Sequence, residues 1–157
     1  MPDFATTDFH LAIAHHLLVF ALAGVLAFEL GAVRAGMAAA DIRRVARVDA
    51  WYGILAALIV AVGFARAIYA AKGWAYYSAN LFFWAKMGTF VLVGLLSILP
   101  TVAFIRWRGA LKNEPAFVPA PSSVASVRRF LWAEVLLFAL LPVFAAAMAR
   151  GYGMLTP

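Results

Sequence analysis

Four apolar stretches, residues 9–31, 50–71, 81–105 and 130–149, are each long enough to cross the roughly 30 Å hydrocarbon core of a bilayer, which takes a helix of about 20 residues. Strands need only half that length, and an open sheet would leave backbone groups unpaired in lipid. The rest of the chain offers no competing core, because 66% of the residues are apolar and the mean hydropathy is +0.93, well above the roughly half-apolar composition of soluble domains. The sequence therefore predicts an all-α integral membrane protein, an up-and-down four-helix bundle forming one membrane domain over residues 1–157. The first stretch is too long, its flank Asp3 and Asp8 too acidic, and its end too poor in cleavage signals for a removed secretory signal.

Lys and Arg set the expected orientation. The connection between the first two spans carries Arg34, Arg43, Arg44 and Arg47, and that between the last two carries Arg106, Arg108, Lys112, Arg128 and Arg129. At the other end there is an N-terminal tail without Lys or Arg, Arg66 and Lys72 at the edge of a short connection, and Arg150 near the C-terminus. The positive-inside rule then places both termini outside, in the periplasm of a multi-pass protein of the bacterial inner (cytoplasmic) membrane. The +6 net charge is accounted for by topology and anionic lipid, so no nucleic acid partner is expected. With no cysteine in the chain, disulfides, iron-sulfur clusters and thiolate haem ligands are excluded.

Between the spans, residues 38–49 alternate Ile42, Val45 and Val48 with Arg43, Arg44 and Arg47, an amphipathic start to helix 2 expected to be solvated or to lie at the headgroups. Residues 71–80 read as a short aromatic turn, with Trp74, Tyr76, Tyr77 and Trp84 in an interfacial belt. Residues 112–126, with Pro115, Pro119 and Pro121, read as a flexible loop. Pro100 and Pro142 should kink the third and fourth helices. Gly24, Gly53, Gly63, Gly88 and Gly94 allow close approach of helices.

Ionisable residues inside a membrane are costly, roughly 2.5 kcal/mol or more on insertion scales, so their placement points to function. All three histidines, His10, His15 and His16, fall in the first span. Asp8, His15, Leu22 and Glu29 are spaced by seven and share one face to within about 20° per heptad, whereas His16 is rotated by about 100° and His10 points a third way. The three cannot converge on one ion, which argues against a three-histidine zinc site within one chain. Glu134, Leu141 and Met148 form a second seven-residue stripe in the last span. Glu29 and Glu134 are expected to pair with Arg34, Arg44 or Arg129 at the basic boundary.

Sorted by depth, His15 lies about 9 Å inside the outer end at 1.5 Å per residue, in the same half as Arg66, Tyr69, Lys86, Met148 and Arg150. Imidazoles, a thioether and cations suit a ligand that combines a metal with carboxylates, and haem b is such a ligand. His15 or His16 would be its axial ligand, Arg66, Lys86 or Arg150 would pair its propionates, and Met148 or Met87 could be a second ligand. A bis-histidine haem would need a second copy of the chain, since no other span has a histidine.

The landmarks AHHLLVFAL and FELGAVR in the first span, DIRRVARVDAWYGILAALIVAVGFARAIY through the second, Lys72-Gly73, Tyr77, Asn80 and FFWAKM leading into the third, and the closing AMARGYG resemble the bacterial membrane proteins of domain-of-unknown-function family 2214. More remotely, the helix-1 histidine, Arg43/Arg44 and Lys86 resemble the pattern of the HemJ-type membrane protoporphyrinogen oxidases, which bind haem b, and the layout resembles the copper-resistance D proteins. The second resemblance implies a haem or porphyrin site. Three functions stand as expectations: a b-type haem protein of the inner membrane serving redox chemistry, a non-catalytic membrane subunit or assembly factor packed against a partner or a second copy, and a small copper or cation transporter using the histidines. No nucleotide loop or nucleophile elbow is present.

Overall fold

The computed structural model describes residues 4–69 and 72–155. It is all-helical: α1 (Phe4–Ala32), α2 (Ala39–Tyr69), a short α3 (Gly73–Ser78), α4 (Leu81–Asn113), α5 (Pro121–Phe138) and α6 (Leu140–Ala149). Four units, Thr6–Ala32, Ala39–Tyr69, Leu81–Asn113 and Pro121–Ala149, are long and apolar enough to span a membrane. The described start of α1 and the end of α6 lie at the same end of the bundle, here the terminal end; the arginine-rich connections mark the opposite, basic end. The end of the second expected window, residues 70 and 71, and the acidic flank at Asp3 lie outside the described residues.

The spans are longer at the basic end than hydropathy alone suggests. Residues 39–49 are the first turns of an unbroken α2, with Arg43, Arg44 and Arg47 exposed on one face and Ile42, Val45 and Ala46 buried on the other, in a core with Phe104, Trp107, Val124 and Leu131. The apolar face packs on α4 and shares that core with α5. The expected loop 112–126 contracts likewise, since α4 runs to Asn113, α5 begins at Pro121 with proline at its N-terminus, and Phe117 between them packs on the same core. Arg128 on α5 donates to the carbonyls of Leu30 (2.9 Å) and Val33, satisfying acceptors that the end of α1 leaves free.

The two prolines act differently. α4 continues through Pro100, which is buried. The fourth span breaks at Ala139, three residues before Pro142, whose ring nitrogen has no hydrogen to offer the carbonyl of residue 138. The bundle is closed at the basic end, where α5 packs on both α1 and α4; beyond the break α6 packs on α4, and no Cα of α6 comes within 8 Å of α1 among the described residues.

At the terminal end, residues 73–78 form a helix where a turn is expected. The Asn80 side chain caps α4 by accepting from the N–H of Phe82 (2.9 Å) and Phe83 (3.4 Å), and its amide donates to the Tyr152 carbonyl (3.0 Å) and the Met154 sulfur (3.4 Å). The Leu81 N–H donates to the Gly153 carbonyl and the Leu155 N–H to the Ala79 carbonyl, each at 2.8 Å. Gly153 is required here: its φ is +74°, and a Cβ would stand 2.6 Å from Cδ2 of Phe82.

Candidate functional site

Between the α3 roof and the bundle's middle lies a cavity of about 650 Å³, lined by residues of all six helices. Its polar wall consists of Asp8, His15, His16, Arg66, Lys72, Tyr76, Tyr77 and Lys86; most of the rest is hydrocarbon, from Val19, Phe90, Phe138 and Leu141 among others. Of the residues singled out from the sequence, His15, His16, Arg66, Lys86 and Met148 come together here, with Met87 beside them. Tyr69 and Arg150 do not line it; Tyr69 is exposed, and the Arg150 backbone N–H ends α6 on the Ala146 and Ala147 carbonyls. His10 is also elsewhere, exposed, with Nδ1 2.8 Å from the Thr6 carbonyl.

The two adjacent histidines differ as the helical rotation requires. His15 is 8% exposed and its Nδ1 has no hydrogen-bond partner among the described residues. Gly63 on α2 makes room for the ring, since a Cβ there would lie 3.4 Å from His15 Cε1 and 3.7 Å from Nδ1. His16 is exposed at the cavity rim and turns Nδ1 back to the Ala12 carbonyl at 2.6 Å. His15 is thus the buried imidazole of the pair and His16 the exposed one.

Arg66 and Lys86 are within electrostatic reach of His15 and of each other. The Arg66 guanidinium sits 3.6 Å from the Asp8 carboxylate, an ion pair too long for a hydrogen bond, and its Nε is buried without a partner among the described residues. The cavity wall thus holds one carboxylate and three cations, Arg66, Lys72 and Lys86, and donor capacity for an acidic ligand remains. Sequence reasoning passed over Lys72 and Tyr76, reading the tyrosine as belt. Tyr76 is a strut: Lys72 Nζ donates to its hydroxyl (3.3 Å) and lies 4.4 Å from its ring centroid, and the hydroxyl donates to the Met148 carbonyl (3.0 Å). The only sequence signal was their spacing of four.

A second polar group lies deeper. Glu29 and Glu134 are 2% and 1% exposed, and neither pairs with an arginine as expected. Arg34 pairs instead with Asp41 (3.0 Å), Arg44 stacks over Phe28, and Arg129 is exposed. The two glutamates face inward with Asp49, which accepts from the Thr101 hydroxyl at 2.7 Å, and with Tyr52, which reaches Glu134 and Ser97. One Oε1 of each glutamate has no partner among the described residues. Leu22, Leu26 and Ile59, with Phe90 and Phe138 against them, pack between the cavity and this layer. The fourteen residues from His15 to Glu29 correspond to about 21 Å of helix. Among the described residues no three His, Asp or Glu side chains gather in a manner that would hold a metal ion.

The family model described as predicted membrane protein (DUF2214) matches residues 7–153, nearly the whole chain. The chain belongs to the DUF2214 family. No curated protein and no solved structure matches it. The matched residues take in the cavity, the carboxylate layer and the clasp at Asn80, so the site described belongs to the part of the chain that the DUF2214 model covers.

Proposed function

We propose that the cavity binds b-type haem, with His15 as axial ligand and Arg66 and Lys86 pairing the propionates, in a redox protein of the bacterial inner membrane. The observation that carries this reading is a buried imidazole with an unpartnered ring nitrogen on the wall of an apolar cavity, flanked by two cations. An unpartnered buried polar atom is costly, so a ligand that completes it is favoured. Cations against an apolar wall suit a ligand with a flat hydrocarbon body and an acidic edge.

Bound haem supplies a reversible one-electron couple. The chain's own residues do the rest. Gly63 keeps the space beside the His15 ring clear, Asp8 steadies the Arg66 guanidinium, and the Tyr76 strut holds α3 to the end of α6 over the site. Leu22, Leu26 and Ile59 seal its floor against water from the basic end. With nine Lys and Arg side chains at the basic end, that end faces the cytoplasm and the cavity lies in the periplasmic half.

Titration of haem b into purified apoprotein tests the reading. Saturation at one haem per chain, with a Soret band that sharpens on binding, is expected; no binding above that of detergent micelles overturns it.

A further inference from the structure

The cavity has a roof, a floor and one closed flank, each made of named contacts. The roof is α3, held by Tyr76 to Met148 and, through the Asn80 clasp, to residues 152–155. The floor is the layer of Leu22, Leu26 and Ile59. Between α1 and α2 the wall is closed by Asp8 against Arg66 and by His15 against Gly63.

The flank between α1 and α6 is different. Those helices stay more than 8 Å apart at every described Cα, although α1 touches α5 just below. The helix is interrupted at Ala139, and Pro142, which has no N–H, leaves the carbonyl of residue 138 without its helical donor. Of the exposed side chains that line the cavity, four stand on the two sides of this gap, His16 on α1 and Pro142, Ala146 and Ala149 on α6; the others are Val60 and Phe64 on α2 and Lys72. Apart from one imidazole the rim is hydrocarbon and small. Both helices lie within membrane-spanning units, so the gap opens toward lipid, not toward water.

We infer that the gap between α1 and α6 is a lateral doorway through which the cavity takes its ligand from the bilayer, and that this ligand is an amphiphile with an apolar body and a carboxylate end. The ligand class rests on the reading given above; the doorway rests on the helix geometry alone. An amphiphile in the leaflet passes its body between the alanines of α6 and the rim of α1 while its acid end tracks toward Arg66 and Lys86. A water-borne anion meets at this rim only proline and alanine side chains and the His16 imidazole, which offer it little in exchange for its hydration.

The absence of native cysteine makes the test clean. In vesicles, a fluorophore on Ala146→Cys is quenched by a nitroxide on phospholipid acyl chains or by iodide in the water, with Lys72→Cys as the roof control. Lipid nitroxide is expected to quench the label at 146 several-fold more than iodide, with the order reversed at 72; stronger quenching by iodide at 146 overturns the doorway, whether or not haem binds. In a second arm, His16→Cys and Ala146→Cys are joined by a long bifunctional thiol reagent, and uptake of haem b from preloaded vesicles is followed. At least a tenfold slower uptake than in the unjoined protein is expected. Unchanged uptake overturns the route. If the unjoined protein takes up no haem, the ligand reading fails and the quenching result still decides the doorway.

Discussion

Gly63 on α2 faces the imidazole of His15 on α1, so that a Cβ at residue 63 would stand 3.4 Å from His15 Cε1. This contact fixes where the buried, unpartnered Nδ1 of His15 can point. Ala at 63 needs a shift of a few tenths of an ångström; a branched side chain does not fit without turning the ring. Gly63→Val is therefore expected to weaken haem binding by about tenfold or more, roughly 1.4 kcal/mol, with little loss of folded protein. Soret titration beside a thermal melt separates the two effects.

Arg66 and Lys86 act on the acid end of the ligand and not on the metal. Arg66→Gln and Lys86→Met should each raise the haem Kd, by about tenfold for a lost charge-assisted hydrogen bond of roughly 1.5 kcal/mol, while leaving the ligand-field bands of the bound form in place. His15→Ala should remove those bands. Visible spectra at saturating haem distinguish the classes.

The heptad stripe Asp8, His15, Leu22, Glu29 was legible because seven residues nearly complete two helical turns, and Leu22 and Glu29 are buried as that face requires. The stripe Glu134, Leu141, Met148 survives even the break at Ala139, with Glu134 and Leu141 buried and Met148 on the cavity. What sequence could not give was the choice of partner. Arginines close to Glu29 and Glu134 in the chain made ion pairs the natural expectation, yet Arg34 is drawn to Asp41, Arg44 stacks over Phe28 and Arg129 stays exposed. The amphipathic pattern of 39–49 showed an apolar face without saying whether lipid headgroups or another helix would cover it. Pro142 announced an irregularity in the fourth span, but not that α6 would stay more than 8 Å from α1.

Glu29 occupies a fully buried position with one carboxyl oxygen unpartnered, a poor use of stabilising interactions. Replacing such a group by hydrocarbon of similar volume is often neutral or stabilising by about 1–4 kcal/mol. Glu29→Leu is expected to raise the melting temperature in detergent. A lowered one would show that the carboxylate layer holds the bundle together.

Asn80 joins the start of α4 to the C-terminal segment through one side chain. Asn80→Ala loses the cap and the bonds to Tyr152 and Met154, a cost of about 1–2 kcal/mol for a lost helix cap. Faster hydrogen exchange at residues 81–83 and 150–155, with α1 and α2 unchanged, is the expected signature.

The most direct measurement is a reduced-minus-oxidised visible spectrum of protein purified from haem-sufficient cells, taken for the parent chain, His15→Ala and His16→Ala. The burial of His15 and the exposure of His16 predict a b-type spectrum that His16→Ala retains and His15→Ala abolishes. A featureless parent spectrum, or a spectrum lost in His16→Ala and kept in His15→Ala, would contradict the account.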